Sequence, residues 1–435
     1  MSTLSIVAVA CGSSTEQSGR PGAGESRDAS ATTDTTDASM RSHGSGGATG
    51  SGGTPAGPGS GGTPGASGGF PSGGVAVGGT MGAGCAVGSD AATDLPSDSP
   101  GAGPELVSDI VDAGAKDASV RDAGAAHDAG TNADGSTTPV TYPPLQFAKI
   151  GRSTVVASTF FFTEGPVWDP KKQVLFFSDI NADSVYRLTL PNTLDVVIDH
   201  IGNTDGLALD ANGELIGAGF ASRDVWRFDG TNVRSLVGDY RTHKLNSPDD
   251  LTTRSDGTIY FTDPTFGING SQGFAAQAAE LCFQGVYRLT SDALVLEDMS
   301  TAGPNGVNFS PDESTLYVSY TGSGQVFAFS VARDGSLHDK TLFANVLVAD
   351  SMCVDAAGDV YVASALGVTV LDPHGKQLGV ISTSGQVATN CTFGGPDQRT
   401  FFMTVHSALA LVPSKGTSSL LRIDAMPIPG MPGRN

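Results

Sequence analysis

The chain has 435 residues and a formal net charge of −21, with 59 Gly, 24 Pro and only 24 Lys and Arg against 45 Asp and Glu. Nucleic-acid binding is excluded as a role, because phosphate-binding surfaces need clustered Lys and Arg and none are clustered here. Past the N-terminus no stretch approaches the roughly 18 apolar residues of a membrane-crossing helix.

In chain order, the first element is MSTLSIVAVACG, a short apolar run ending in small residues before Cys11. It resembles a bacterial lipoprotein signal (1–11), in which the Cys becomes the lipidated first residue, although no Lys or Arg precedes it. The implied location is the bacterial cell envelope, periplasmic or cell-surface, with membrane contact only through that lipid anchor. Residues 12–141 are rich in Gly, Ser, Ala, Pro and Asp, with stretches such as GSGGATGSGGTPAGPGSGGTPG. Too little apolar surface is present to offset the entropy of ordering, which predicts a long disordered tether. A flexible coil of about 130 residues spans about 60 Å. Among five cysteines, Cys85 falls in this linker, while Cys282, Cys353 and Cys391 leave an odd number in the folded part. Cys353 and Cys391 hold the same relative place in adjacent repeats and read as buried free thiols or as a disulfide.

From residue 142 onward one unit recurs at roughly 40 to 55 residues, the spacing of propeller blades. Six segments, TEGPVWD, TDGLALD, PDDLTTR, PNGVNFS, ADSMCVD and TNCTFGG, carry an acid or amide second: Glu164, Asp205, Asp249, Asn305, Asp350 and Asn390. Each is followed by a turn and a strand-like run: QVLFFSD, GELIGAG, GTIYFTD, STLYVSY, GDVYVAS and RTFFMTV. Further strands end many repeats (SVYRLTL, DVWRFDG, GVYRLTS, QVFAFSV, GVTVLDP), so the expectation is all-β, a six-bladed β-propeller over 142–426 with a Pro/Gly-rich tail at 427–435. Closing the ring removes a long exposed edge, so FAKIGRSTVVAS and SSLLRIDA should share one blade. One repeat carries extra residues at 265–285, either a roof over the channel or a solvated excursion.

An Asp or Asn ahead of Gly is first of all a turn residue. Turn chemistry does not select Glu, however, and Glu164 occupies the first of the six phased positions. A ring of carboxylate and amide oxygens without His or Cys suits a hard cation, Ca2+ first, with Mg2+, Mn2+ or Zn2+ as other divalent candidates. No HExxH occurs, and His406 reads as a structural residue rather than a ligand.

The strings TEGPVWDPKKQVLFFSDI, KLNSPDDLTTRSDGTIYFTDPTFGI, ELCFQGVYRL, GPNGVNFSPDESTLYVS and NCTFGG resemble the gluconolactonase branch of the senescence marker protein 30 family, over nearly all of 147–410. The resemblance implies a six-bladed propeller with an axial divalent cation and hydrolysis of a small-molecule sugar lactone. Carried over by motif, the metal ligands fall on Glu164, Asn305 and Asp350, and the Asn of the family's SPND motif falls on Asp249. That chemistry would have the cation polarise the lactone carbonyl while Asp350, or alternatively Asp249, takes the proton of the attacking water. Asp249 is thus also a candidate fourth ligand or substrate contact, and Asp205 and Asn390 are candidate substrate-binding residues. This chain departs at SPDD, at Asp205 where relatives often have Asn, and at Ser351 where they often have Gly. Two other functions fit the same fold: a non-catalytic tethered ligand-binding propeller, and a metal-dependent aryl-ester or phosphotriester hydrolase.

Overall fold

The structure is a computed structural model that describes residues 129–131, 137–139, 141–407 and 412–431. Cys11, Cys85 and nearly all of the 12–141 linker lie outside the described residues. Six four-stranded antiparallel sheets follow one another along the chain as the blades of a propeller. The described residues contain no α-helix, only two single-turn 3-10 segments.

Blade 1 shows how the sequence builds the unit. Its strands are Thr163–Asp169, Val174–Asp179, Ser184–Thr189 and Thr193–Asp199. The first two are buried throughout and the fourth is mostly exposed, so the chain runs from the centre of the ring outwards. Side chains alternate between the two faces of a strand. Leu175 and Phe177 pack against blade 6, while Val174 and Phe176 pack against blade 2. A strand covered on both faces reads as a continuous apolar run rather than an alternating one, which accounts for QVLFFSD.

The same sandwich repeats around the ring. The first strands of blades 2 to 6 are Thr204–Leu209, Leu251–Thr253, Pro304–Phe309, Met352–Val354 and Gln386–Gly394. Each apolar cluster of the core lies between two neighbouring blades, including one between blade 6 and blade 1. Removing one blade would therefore uncover two apolar faces. Blade 6 takes three strands from the C-terminal part, and its outermost strand, Thr154–Phe160, pairs with Ser418–Ile423. The two segments expected to latch the ring do share this blade.

Candidate functional site

Because successive strands are antiparallel, the start of each first strand lies on the same face as the loop between the second and third strands. All six repeat positions fall on this face, and at each one the regular ladder is interrupted. Register slips between Glu164 and Val167, Thr204 and Leu207, Pro304 and Val307, and Ala388 and Asn390. In blades 3 and 5 the ladder starts only at Leu251 and Met352, two residues past Asp249 and Asp350. Bulges of this kind re-aim side chains out of the pleat. Glu164, Asp205, Asp249, Asn305 and Asn390 are buried and Asp350 is half-buried.

Neighbouring first strands approach closely at this level. A Cβ on Gly165, whose φ is +48°, would sit 2.5 Å from the Asp205 carbonyl oxygen, and one on Gly306 would sit 2.5 Å from Ser351 Cα. Only glycine allows that approach. Hydroxyls of the second strands then fix the carbonyls of the repeat residues one blade on. Ser178 donates to the Asp205 carbonyl at 2.6 Å, Thr262 to that of Asn305 at 2.6 Å, and Ser319 to that of Asp350 at 2.7 Å. The segments leading into the site are clamped by carboxylates. Asp179 accepts the Phe161 and Phe162 N–H groups at 2.9 and 2.8 Å, and Asp263 those of Asn246 and Ser247 at 2.9 and 2.7 Å.

The electrostatics are those of crowded acids. Burial, then Asp350, Asp249 and Asp250, push the Glu164 carboxyl well above its usual range. Burial, Asp249 and Glu164 do the same to Asp205, and burial, Asp350 and Asp250 to Asp249. Asp350 is raised by burial to about 7 even though the Asn305 amide hydrogen-bonds to it. Ser351 Oγ in turn donates to Asn305 Oδ1 at 3.3 Å, so the serine that departs from the family pattern orients this amide.

Asp250 is a site residue that sequence reading passed over. It is buried, raised by that burial to about 7, and accepts the Leu251 N–H at 2.9 Å. The second Asp of PDDL was the only sign of it. Among the described residues none of Glu164, Asp205, Asp249, Asp250 and Asp350 forms an ion pair with Lys, Arg or His. Buried carboxylates without cationic partners must hold protons or a cation.

No three Asp, Glu, His or Cys side chains among the described residues close into a metal-holding group. Glu164, Asp249 and Asp350 therefore make no three-acid cage in this conformation. The expected ligands Glu164, Asn305 and Asp350 are two acids and an amide, a set of oxygen donors of the kind hard cations take. His406 is not part of it: its ring stacks on Phe162 with centroids 4.8 Å apart, and burial lowers its pKa.

The long segment of blade 3 lies across the same face. Its Phe274 packs edge-on against Phe220 of the blade 2 loops at 5.6 Å, and the Gln272 carbonyl accepts from Asn181 Nδ2 of blade 1 at 2.8 Å. Ile268 within it is buried. Val348, two residues before Asp350, holds a φ of +54°, an uncommon conformation for a β-branched side chain.

The SMP-30/Gluconolactonase/LRE-like region family matches residues 162–407. A gluconolactonase of Zymomonas mobilis is 29% identical over 320 residues, covering 66% of this chain and 89% of the relative. A pentonolactonase of Haloferax volcanii is 25% identical, covering 58% and 83%. The solved structure of a Xanthomonas campestris gluconolactonase superposes with a TM-score of 0.57 at 36% identity, covering 64% of this chain and 91% of that one. With the propeller, the phased acids and amides and these likenesses together, the chain belongs to the SMP-30/gluconolactonase/LRE-like family.

Proposed function

We propose that this protein is a lactone hydrolase acting on a sugar lactone such as glucono-1,5-lactone, with a divalent cation, Ca2+ first, held by Glu164, Asn305 and Asp350. The observation that carries the reading is the set of acids Glu164, Asp205, Asp249 and Asp350 at the interrupted starts of the first strands, with no Lys, Arg or His ion-paired to them among the described residues. A bound cation supplies Lewis acidity at the lactone carbonyl and positive charge for the oxyanion that forms there.

The chain's own residues do the rest. Asp350, hydrogen-bonded to Asn305 and raised to about 7, is the base that takes the proton of the attacking water. Asp249, whose pKa is also raised, is the alternative base and a substrate contact. Asp205 and Asn390 accept from sugar hydroxyls. The segment bearing Gln272 and Phe274 limits access of bulk water. Ring opening then needs no covalent intermediate.

The test is hydrolysis of glucono-1,5-lactone above its spontaneous rate with Ca2+ present and loss of the excess on chelation, with Mg2+, Mn2+ and Zn2+ compared in parallel. No excess over the spontaneous rate with any of the four ions would overturn the proposal. A second reading, hydrolysis of an apolar ester such as an aryl ester, is favoured by one observation. Leu347, Val348, Leu366 and Val412 are exposed in loops of the site-bearing face of blades 5 and 6. Faster turnover of phenyl acetate than of the sugar lactone would select it.

A further inference from the structure

Cys353 and Cys391 are fully buried in the apolar cluster between blades 5 and 6, among Tyr361, Ala363, Val368, Ala388, Phe393 and Met403. Both are free thiols, and their Sγ atoms lie 2.7 Å apart. Cys391 Sγ also lies 3.3 Å from the Tyr361 carbonyl oxygen and can donate its proton there. That leaves sulfur lone pairs facing Cys353. Two sulfurs at this separation reach disulfide bonding distance by a movement of less than about 1 Å. The backbones that carry them are already tied, since the Ser351 N–H donates to the Thr389 carbonyl at 3.1 Å.

We propose that Cys353 and Cys391 are a disulfide-forming site that covalently staples blade 5 to blade 6. The oxidant is a disulfide of a small molecule or of another protein. One cysteine thiolate attacks that disulfide, forming a mixed disulfide and releasing one thiol. The other cysteine attacks the mixed disulfide, forms the Cys353–Cys391 bond and releases the second thiol. The pair loses two electrons and two protons, and the oxidant gains them. Because neither sulfur is exposed, exchange takes place before the two blades close or when they part.

The staple closes a chain segment of 38 residues and acts where the strand of Asn390 meets the segment of Asp350. Its effect on stability is separable from catalysis, because neither cysteine contacts substrate in the proposed function.

The experiment refolds the full chain with oxidised glutathione, blocks free thiols in denaturant without reduction, and maps the peptides. The expected product is one linked peptide pair containing Cys353 and Cys391, two hydrogens lighter than the reduced pair. Recovery of both cysteines as separately blocked thiols overturns the proposal. Melting gives a second measurement: reduction should lower the Tm of the wild type by about 5 °C more than that of Cys391→Ala. Equal losses in the two proteins would overturn the staple.

Discussion

At the hairpin turns on the face away from the site, aspartates sit in water and accept backbone N–H groups. Asp229 accepts those of Thr231 and Asn232 at 2.8 and 2.7 Å, and Asp334 that of Ser336 at 3.0 Å. Those hydrogen bonds to Asp229, and for Asp334 first the Ser336 hydroxyl at 2.7 Å and then that N–H, hold both carboxyls below the usual range. At the opposite ends of the sheets, Glu164, Asp205 and Asp249 are raised by burial and by neighbouring acids, and Asp350 by burial and by Asp250. Asp355 separates the two causes. It sits in an outer turn and accepts the Ala357 and Asp359 N–H groups, yet burial and Asp359 raise it to about 8. Burial outweighs turn geometry, and the proposed cation site lies where burial meets several acids.

The largest expected effect tests the function of the crowded end. Asp350→Asn should lower lactone turnover at least about 100-fold, the range for losing a general base, while the melting temperature stays level or rises as buried repulsion is relieved. Steady-state rates and a thermal melt on the same preparation check both halves. Adding Ca2+ should stabilise the wild type by about 2.7 kcal/mol at a free concentration 100 times its dissociation constant. Calorimetry should show this gain reduced in Glu164→Gln, and the outer-turn acids should contribute nothing to it.

A smaller effect is expected from the hydroxyls that hold the site. Ser319→Ala removes the bond to the Asp350 carbonyl and should cost about 1 kcal/mol of stability. Its kcat should fall while KM for the lactone changes little.

The pH dependence of the cation-free protein has a definite sign. A carboxyl whose folded pKa is raised binds its proton more tightly when folded, so its contribution to stability is full below the unfolded pKa of about 4 and is lost as pH rises toward about 7. The apo protein should therefore melt higher at pH 5 than at pH 8, and Ca2+ should shrink that difference. The smallest effect belongs to the turns. Asp312→Ala loses the N–H of Ser314 and should cost no more than about 1 kcal/mol, with turnover unchanged.

The blade architecture was legible because strands covered on both faces leave runs such as VLFFSD and TLYVSY, and because the six acid or amide positions recur in phase. Family resemblance supplied the proposed roles of Glu164, Asn305 and Asp350, since nothing in TEGP or PNGV alone separates a ligand from a turn residue. Asp250 escaped notice because adjacent acids in PDDL do not show which one is buried. The hydroxyls of Ser178, Thr262 and Ser319 were visible, but their partners are carbonyls in the next blade, between 27 and 43 residues away. The long blade 3 segment was recognised by length, and only its contacts with Asn181 and Phe220 place it over the site face.

The sharing of blade 6 between distant parts of the chain has a consequence for synthesis on the ribosome. Thr154 and Arg422, neighbours in the finished sheet, are separated by 268 residues. The earlier strand must wait without its one strand partner until residues 418–423 have been made. Its sequence TVVASTF carries no charge, so this waiting period is when a nascent chain is most exposed to pairing with the wrong neighbour.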